Sequence, residues 1–161
     1  MKSVAVQGKS GAGKTTLSRA LITFLGRQGW RISYIKSIPH DDASFETEGK
    51  DTELAMNSGA MLSAGITPSK AFFTLRGHHD LREVMILAEK WSDVCILEGF
   101  HSDIQTILPD VIINISPATA DSSGTLRVAY GNLHSSFTIE PDMDGILKFV
   151  LECLMDAMSK G

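Results

Sequence analysis

The sequence predicts an α/β fold in which helices cover both faces of a mostly parallel sheet. Two observations support this prediction, and the length of the chain adds an expectation about the number of domains. A Gly-rich turn at residues 8–13 lies between a short apolar strand and an amphipathic helix, and a second strand follows. Continuous apolar runs at residues 94–97 and 111–115 are typical of buried parallel strands. The chain of 161 residues fits one domain, so we expect a single domain over residues 1–161.

The first half of the chain begins with a predicted βαβ unit. Apolar residues recur at helical spacing from Leu17 to Leu25, and Gly29 ends that helix. A polar segment, Ser37–Lys50, then predicts a long loop, and long loops in compact domains are usually functional or disordered. The predicted elements are the strand Val4–Gln7, a helix from Lys14, the strand Arg31–Lys36, a helix over Asp51–Asn57 capped by Asp51 or Thr52, and two short strands, Ala60–Ile66 and Ala71–Leu75.

The second half continues the alternation of helices and strands. Asp80 to Glu83 has the spacing of a capping box and predicts a helix that ends near Trp91. The remaining predictions are the buried strands Val94–Leu97 and Val111–Ile115, a hairpin of Thr125–Tyr130 with Ser135–Ile139 across Gly131 and Asn132, and an amphipathic helix over Asp142–Met158.

Composition and charge exclude several classes of protein. The net charge of -4 argues against a nucleic-acid surface, which needs clustered Lys and Arg. No apolar run approaches the roughly 20 residues of a membrane-spanning helix, and the first residues do not resemble a signal peptide. Cys95 and Cys153 lie in apolar segments and match no metal-ligand spacing, so we expect buried thiols in a reducing compartment, the cytoplasm.

The segment Gly8–Thr15 matches the phosphate-binding pattern G-x-x-x-x-G-K-[ST] at every position. Glycines permit the positive φ angles that turn successive backbone N–H groups towards a phosphate. Lys14 is expected to reach the β- and γ-phosphates, and the Thr15 hydroxyl to ligate Mg²⁺. A chance match in a Gly-rich turn is the alternative, but the preceding strand and following helix are the context that the motif requires. The pattern therefore predicts phosphate binding at the start of the first helix.

Glu98 directly follows the apolar run Val94–Leu97 and precedes Gly99. A carboxylate at the end of a buried strand is well placed to support Mg²⁺, either directly or through water. Asp93 lies at the opposite, leading end of that strand, so Glu98 is the candidate. The alternative is a glutamate in a strand-end loop without a functional role.

Taken together, several segments resemble the MobB family of molybdopterin-guanine-dinucleotide biosynthesis proteins. The resemblance covers roughly residues 1–100 and lies in GKSGAGKTT, YIKSIPHDD, EGKDT, NSGA and VCILEGF. Members are P-loop GTP-binding proteins thought to assist the enzyme that attaches GMP to molybdopterin. This chain departs from the family at Ser37, where members usually carry His, and at His101, where they usually carry Lys.

The resemblance implies GTP and Mg²⁺ as cofactors of a P-loop NTPase-like fold. It also implies molybdopterin guanylyltransferase as a partner, and a homodimer formed through the short strands between Ala60 and Leu75. Asp41 would lie near the γ-phosphate, where it would orient water or ligate Mg²⁺ together with Thr15 and Glu98; the alternative is that His40, Asp41 and Asp42 form only a solvated loop. The implied nucleotide contacts are Gly8, Lys9, Ser10, Gly11, Ala12, Gly13, Lys14, Thr15 and Thr16.

Lys9 occupies a position where related dimeric nucleotide switches carry a lysine that reaches a γ-phosphate across the subunit interface. It is therefore a candidate catalytic residue beside Lys14 and Asp41, acting from the partner subunit or from its own, much as an arginine finger does. Ser10 replaces the glycine usual in those loops. The alternative is a solvated lysine on an exposed turn.

Three functions are compatible with these residues. The first is a GTP-binding accessory protein of molybdenum or tungsten cofactor biosynthesis, with slow intrinsic hydrolysis. The second is a small-molecule kinase, although the segment Ser102–Ile139 holds only Arg127 as an arginine for a lid. The third is a nucleotide-binding scaffold without turnover. The base-reading motif Asn-Lys-x-Asp is absent, so the expectation of GTP rests on the family resemblance, although Asn114–Pro117 lies where a base-binding loop could fall.

Overall fold

The computed structural model describes residues 1–40, 50–117, 124–138 and 143–160. Backbone contacts divide the chain into two compact units, one of Met1–Ser37 with Leu81–Gly161 and the other of Ile38–Asp80. The expectation of a single domain therefore stays a prediction, and each unit is described by itself. Asp41 lies outside the described residues.

The secondary structure follows the predicted alternation closely. One element was not predicted, the single helical turn α4, which is followed by Leu108 in the left-handed region at φ 52°. In chain order the elements are β1 (Lys2–Gly8), α1 (Lys14–Arg27), β2 (Ile32–Lys36), α2 (Asp51–Asn57), β3 (Leu62–Ile66), β4 (Ala71–Leu75), α3 (Leu81–Glu89), β5 (Val94–Glu98), α4 (Ile104–Ile107), β6 (Val111–Ser116), β7 (Thr125–Tyr130), β8 (Leu133–Thr138) and α5 (Met143–Ser159).

The larger unit is built on a six-stranded sheet with the order β2-β5-β1-β6-β7-β8. The first four strands are parallel, while β7 and β8 run antiparallel as a hairpin around Gly131 and Asn132. This arrangement confirms the predicted mostly parallel sheet and the predicted hairpin. The carboxyl ends of β2, β5 and β1 lie side by side, because Lys36 pairs with Glu98 and Glu98 with Val6.

Helices cover both faces of this sheet, as predicted. On one face, Val4, Val6 and the alternate residues of β5 and β6 pack against the apolar sides of α1 and α5. On the other face, Cys95 and Leu97 pack against Leu81 of α3 and Ile107 of α4. Both cysteines are buried free thiols, as expected, and burial raises the pKa of Cys95 to about 12.

The smaller unit contains α2 and the antiparallel pair β3–β4. The predicted side-chain cap of α2 is wrong. Lys50 occupies the cap position in an extended conformation, and no side chain caps the helix. Asp51 is instead the first helical residue, where its charge with that of Glu53 complements the positive end of the helix dipole.

Across the described ranges of both units, no helix is long and apolar enough to cross a membrane.

Candidate nucleotide-binding site

The loop between β1 and α1 adopts the conformation that the glycine pattern predicts. Gly11 and Gly13 have positive φ angles of 75° and 88°, and Gly13 is the left-handed cap of α1. No side chain caps this helix, so the N–H groups of its first turn are not satisfied by a cap. Gly8 is needed for a different reason, because a β-carbon there would lie 2.7 Å from the backbone oxygen of Ile115 on β6.

The side chain of Lys14 folds back against the backbone of the phosphate loop. Its ammonium donates hydrogen bonds to the backbone oxygens of Gly8 and Lys9, both at 2.8 Å. The positive charge is thus held against the backbone of the loop. A phosphate drawn to this loop meets a cation and a row of N–H donors at the positive end of α1.

The alternation of side chains along β5 directs Glu98 towards this loop. Val94 and Ile96 face α1, Cys95 and Leu97 face the opposite side, and Glu98 continues the first set. Glu98 is only 1% exposed. A buried carboxylate of this kind requires hydrogen-bond donors, because an uncompensated charge is costly away from water.

Four side chains supply those donors. Oε1 of Glu98 accepts a hydrogen bond from the Thr15 hydroxyl at 2.7 Å and pairs with the Lys36 ammonium at 3.2 Å. Its Oε2 accepts from the hydroxyls of Ser18 and Tyr34, each at 2.9 Å. A carboxylate offers about four lone-pair sites, so these partners use the acceptor capacity of Glu98 fully.

The electrostatics of this cluster keep Glu98 ionised. Burial by itself would raise the pKa of Glu98, but the hydrogen bonds from Thr15, Tyr34, Ser18 and Lys36 together outweigh it, and the pKa lies below its ordinary value. The pKa of Tyr34 rises to about 12, because of burial and the adjacent carboxylate. At neutral pH the cluster therefore contains an ionised Glu98 and a protonated Tyr34.

The geometry would allow Thr15 and Glu98 separate roles towards a bound cation. The Thr15 hydroxyl uses its hydrogen on Glu98, which leaves its oxygen lone pairs to face a metal ion. Glu98 itself is occupied by its four donors, so it would act on a bound ion through Thr15 and through its negative charge. Hard oxygen donors of this type, completed by phosphate oxygens and water, fit Mg²⁺.

The remaining predicted contacts lie on or beside the loop. Ala12 is buried beneath it, while Lys9 and Ser10 are exposed. Thr16 lies in the first turn of α1 and lines a groove beside α5. In the described ranges, no group of three or more His, Cys, Asp or Glu side chains could hold a metal ion by itself.

Three members of the cluster were not predicted: Ser18, Tyr34 and Lys36. The sequence could have identified Ser18 as a member of the cluster. It lies four residues after Lys14 and three after Thr15, on the same side of the helix, and it is a polar residue among buried leucines. Tyr34 and Lys36 are two positions apart on β2, so their side chains lie on the same face of the strand. Their contact with Glu98 depends on β2 being the neighbour of β5, which spacing along the chain does not reveal.

A phosphate loop at the start of α1, beside a carboxylate that ends the neighbouring strand, is the arrangement of a P-loop NTPase-like fold. The family model described as MobB, molybdopterin guanine dinucleotide synthesis protein B, matches residues 3–111. This is more than half of the chain, and the chain belongs to that family.

Solved structures of the same family are similar to this chain. The crystal structure of Bacillus subtilis MobB is 28% identical with a TM-score of 0.54, and the match covers 62% of this chain and 61% of that one. The MobB homologue from Bacillus stearothermophilus is 24% identical with a TM-score of 0.48, covering 62% and 57%. This chain thus spans about three fifths of the length of these structures. No curated protein matches it significantly.

Proposed function

We propose that this chain binds Mg²⁺-GTP at the loop Gly8–Thr15 and assists the guanylation of molybdopterin, with slow intrinsic GTP hydrolysis. The observation that carries the proposal is the hydrogen bond of 2.7 Å from the Thr15 hydroxyl to the buried carboxylate of Glu98. It joins the phosphate loop to the end of β5, at the point where a nucleotide-bound cation would lie. The description of the family as molybdopterin guanine dinucleotide synthesis proteins supports the pathway.

Different residues of the loop are expected to bind the phosphates and the metal ion. The Lys14 ammonium moves from the carbonyls of Gly8 and Lys9 to the terminal phosphates, exchanging neutral acceptors for charged ones. The N–H groups of the first turn of α1 hold the phosphates next to it. Mg²⁺, when bound, neutralises charge on the phosphate oxygens. Thr15 contributes one oxygen ligand, and Glu98 fixes the orientation of that hydroxyl.

Turnover is assigned to groups around the terminal phosphate. Lys9 is an exposed residue of the loop, so its ammonium is accessible to a γ-phosphate of its own subunit or of a partner subunit. Asp41 keeps the role implied by the family resemblance, to orient water or Mg²⁺.

A homodimer is part of the proposal, and the hairpin β3–β4 supports it. One face of the hairpin is formed by three cross-strand pairs: Leu62 with Leu75, Ala64 with Phe73, and Ile66 with Ala71. All six of these apolar residues are exposed, with Ile66 at 83% and Phe73 at 53%. An exposed apolar face usually marks an interaction site. A second copy of the chain is the occupant that the proposal assigns to this face.

The partner in the pathway is proposed to be molybdopterin guanylyltransferase, and the compartment the cytoplasm. Both assignments rest on the family to which the chain belongs. The cytoplasm is compatible with Cys95 and Cys153, which are buried as free thiols.

Two measurements test the proposed function. Calorimetric titration with GTP and with ATP, each with Mg²⁺, is expected to give tighter binding of GTP, and equal or tighter binding of ATP would contradict the choice of base. Phosphate release, measured with and without added small-molecule acceptors, is expected to be slow and independent of the acceptor. Acceptor-dependent loss of the γ-phosphate would favour a kinase, whereas tight binding without any release would favour a scaffold.

A further inference from the structure

A groove lies between α1 and α5, and Thr16 is the one lining residue that it shares with the site described above. Its cavity volume is about 370 Å³, within the usual range of small-molecule sites. Thr16, in the first turn of α1, is one of its lining residues. Others are Arg19, Ala20 and Phe24 from α1, and Asp144 and Leu147 from α5.

The lining has the chemistry of a site for a purine base. Ala20, Phe24 and Leu147 provide apolar surface for the flat faces of a ring. Asp144, in the first turn of α5, provides a carboxylate on the opposite side of the groove from α1. The guanine edge offers N1–H and the 2-amino group as parallel donors, which one carboxylate can accept together. Adenine presents an acceptor at N1, which a carboxylate repels.

We infer that this groove holds the nucleoside of GTP and that Asp144 accepts hydrogen bonds from the guanine edge. The inference rests on the proposed binding of GTP at the loop, which it extends to the base. The main support is the position of Thr16, which directly follows the last loop residue, Thr15, and also lines the groove. A nucleotide whose phosphates lie on the loop must place its base in an adjoining space, and the groove is such a space. Arg19 lines the same groove, and its positive charge suits an anionic nucleotide.

A structural role for Asp144 is the competing explanation. A carboxylate in the first turn of a helix stabilises the helix through its dipole, whatever occupies the groove. That role predicts an effect of mutation on stability and no effect on the choice of base. The two explanations therefore separate in an experiment that compares different bases.

The test is a specificity switch in the full chain with Asp144→Asn. Xanthine keeps N1–H but carries an oxygen in place of the 2-amino group, so an asparagine amide matches it as donor and acceptor. The variant is expected to bind GTP roughly 10- to 100-fold more weakly than wild type, as for loss of a hydrogen bond to a charged group, and to bind XTP more tightly than wild type does. Glu152→Gln removes a charge from an exposed position of α5 outside the groove, and is expected to leave both affinities unchanged.

Inorganic triphosphate separates a failure of this inference from a failure of the proposed function. It occupies only the phosphate loop, so its binding is expected to be unaffected in Asp144→Asn and lost in Lys14→Ala. An unchanged ratio of GTP to XTP affinity in Asp144→Asn, with triphosphate binding retained, would overturn the role of Asp144 alone. If asparagine impairs folding, Asp144→Ala replaces it, and an undiminished preference for GTP over ITP, which lacks the 2-amino group, would also overturn the inference.

Discussion

Replacing Glu98 by glutamine removes the charge at the centre of the cluster while nearly preserving its shape. The carboxylate accepts hydrogen bonds from Thr15, Ser18 and Tyr34 and pairs with Lys36. Glutamine has one oxygen and one NH₂ group, and the NH₂ group cannot face the Lys36 ammonium, which has no acceptor. The amide will therefore direct its oxygen to Thr15 and Lys36, and its NH₂ group to the two hydroxyls, which can rotate to accept.

The magnitude follows from what this rearrangement loses. Every group keeps a partner, but the hydrogen bonds are no longer made to a charged acceptor, and we expect destabilisation of about 1.5–3 kcal/mol. Lys36 adds little to this value, because its side chain is 45% exposed and solvent screens the ion pair. At about 2–4 °C per kcal/mol for a chain of this size, Tm should fall by roughly 3–12 °C.

The dependence on pH distinguishes this charge from simple packing. Because the pKa of Glu98 is lowered on folding, its contribution to stability is fully present above the ordinary value of 4.5. That contribution is lost as pH falls through the lowered value in the folded protein. The difference in unfolding free energy between wild type and Glu98→Gln, measured by urea denaturation, should therefore be largest near neutral pH and shrink in acid.

Two results would contradict this reasoning. One is a difference in unfolding free energy that stays constant from neutral pH into acid, since a charge with a lowered pKa cannot give a constant difference. The other is a Glu98→Gln variant as stable as wild type at neutral pH. Glu152→Gln, an exposed substitution on α5, serves as the control and should change stability by no more than about 0.5 kcal/mol.

Three further predictions concern the loop and the hairpin. Lys14→Ala should abolish calorimetrically detectable Mg²⁺-GTP binding with an unchanged circular dichroism spectrum, while Lys148→Ala on the exposed side of α5 should bind normally. Lys9→Ala should lower the rate of GTP hydrolysis with little change in affinity, and wild-type turnover would mean that Lys9 is a solvated loop residue. Phe73→Asp should reduce the solution mass from dimer to monomer in light scattering, and Lys70→Glu in the adjoining turn should not; a wild-type chain that is monomeric with nucleotide bound would refute the dimer.

Much of the fold was predictable because its central strands are apolar and continuous. Val94–Leu97 and Val111–Ile115 could be identified as buried strands, since a strand covered on both faces has little room for polar residues. The single turn Ile104–Ile107 could not, because four residues are too few to establish a helical period. Helix α2 was placed correctly but its cap was not, since Lys50 lacks a capping side chain.

The site was predictable only where its residues are close to one another in the sequence. The glycines of the loop and Lys14 lie within one motif, so their conformation and direction follow from the sequence. The cluster joins Glu98 to residues far from it along the chain, such as Tyr34, 64 positions earlier, and Ser18, 80 positions earlier. They meet only because β2 pairs with β5 and α1 packs on the same face. Sheet order brings them together, and spacing along the chain carries little information about sheet order.

The position of Glu98 within β5 limits which insertions and deletions this strand can accept. Glu98 reaches the phosphate loop because it is an even number of positions from Val94, on the side that faces α1. Deleting one residue between them would turn the carboxylate to the other side of the sheet, where Leu81 and Leu97 offer it no hydrogen bond. Length changes in this strand should therefore be tolerated only two residues at a time, whereas the exposed turn at Gly131 and Asn132 has no such constraint.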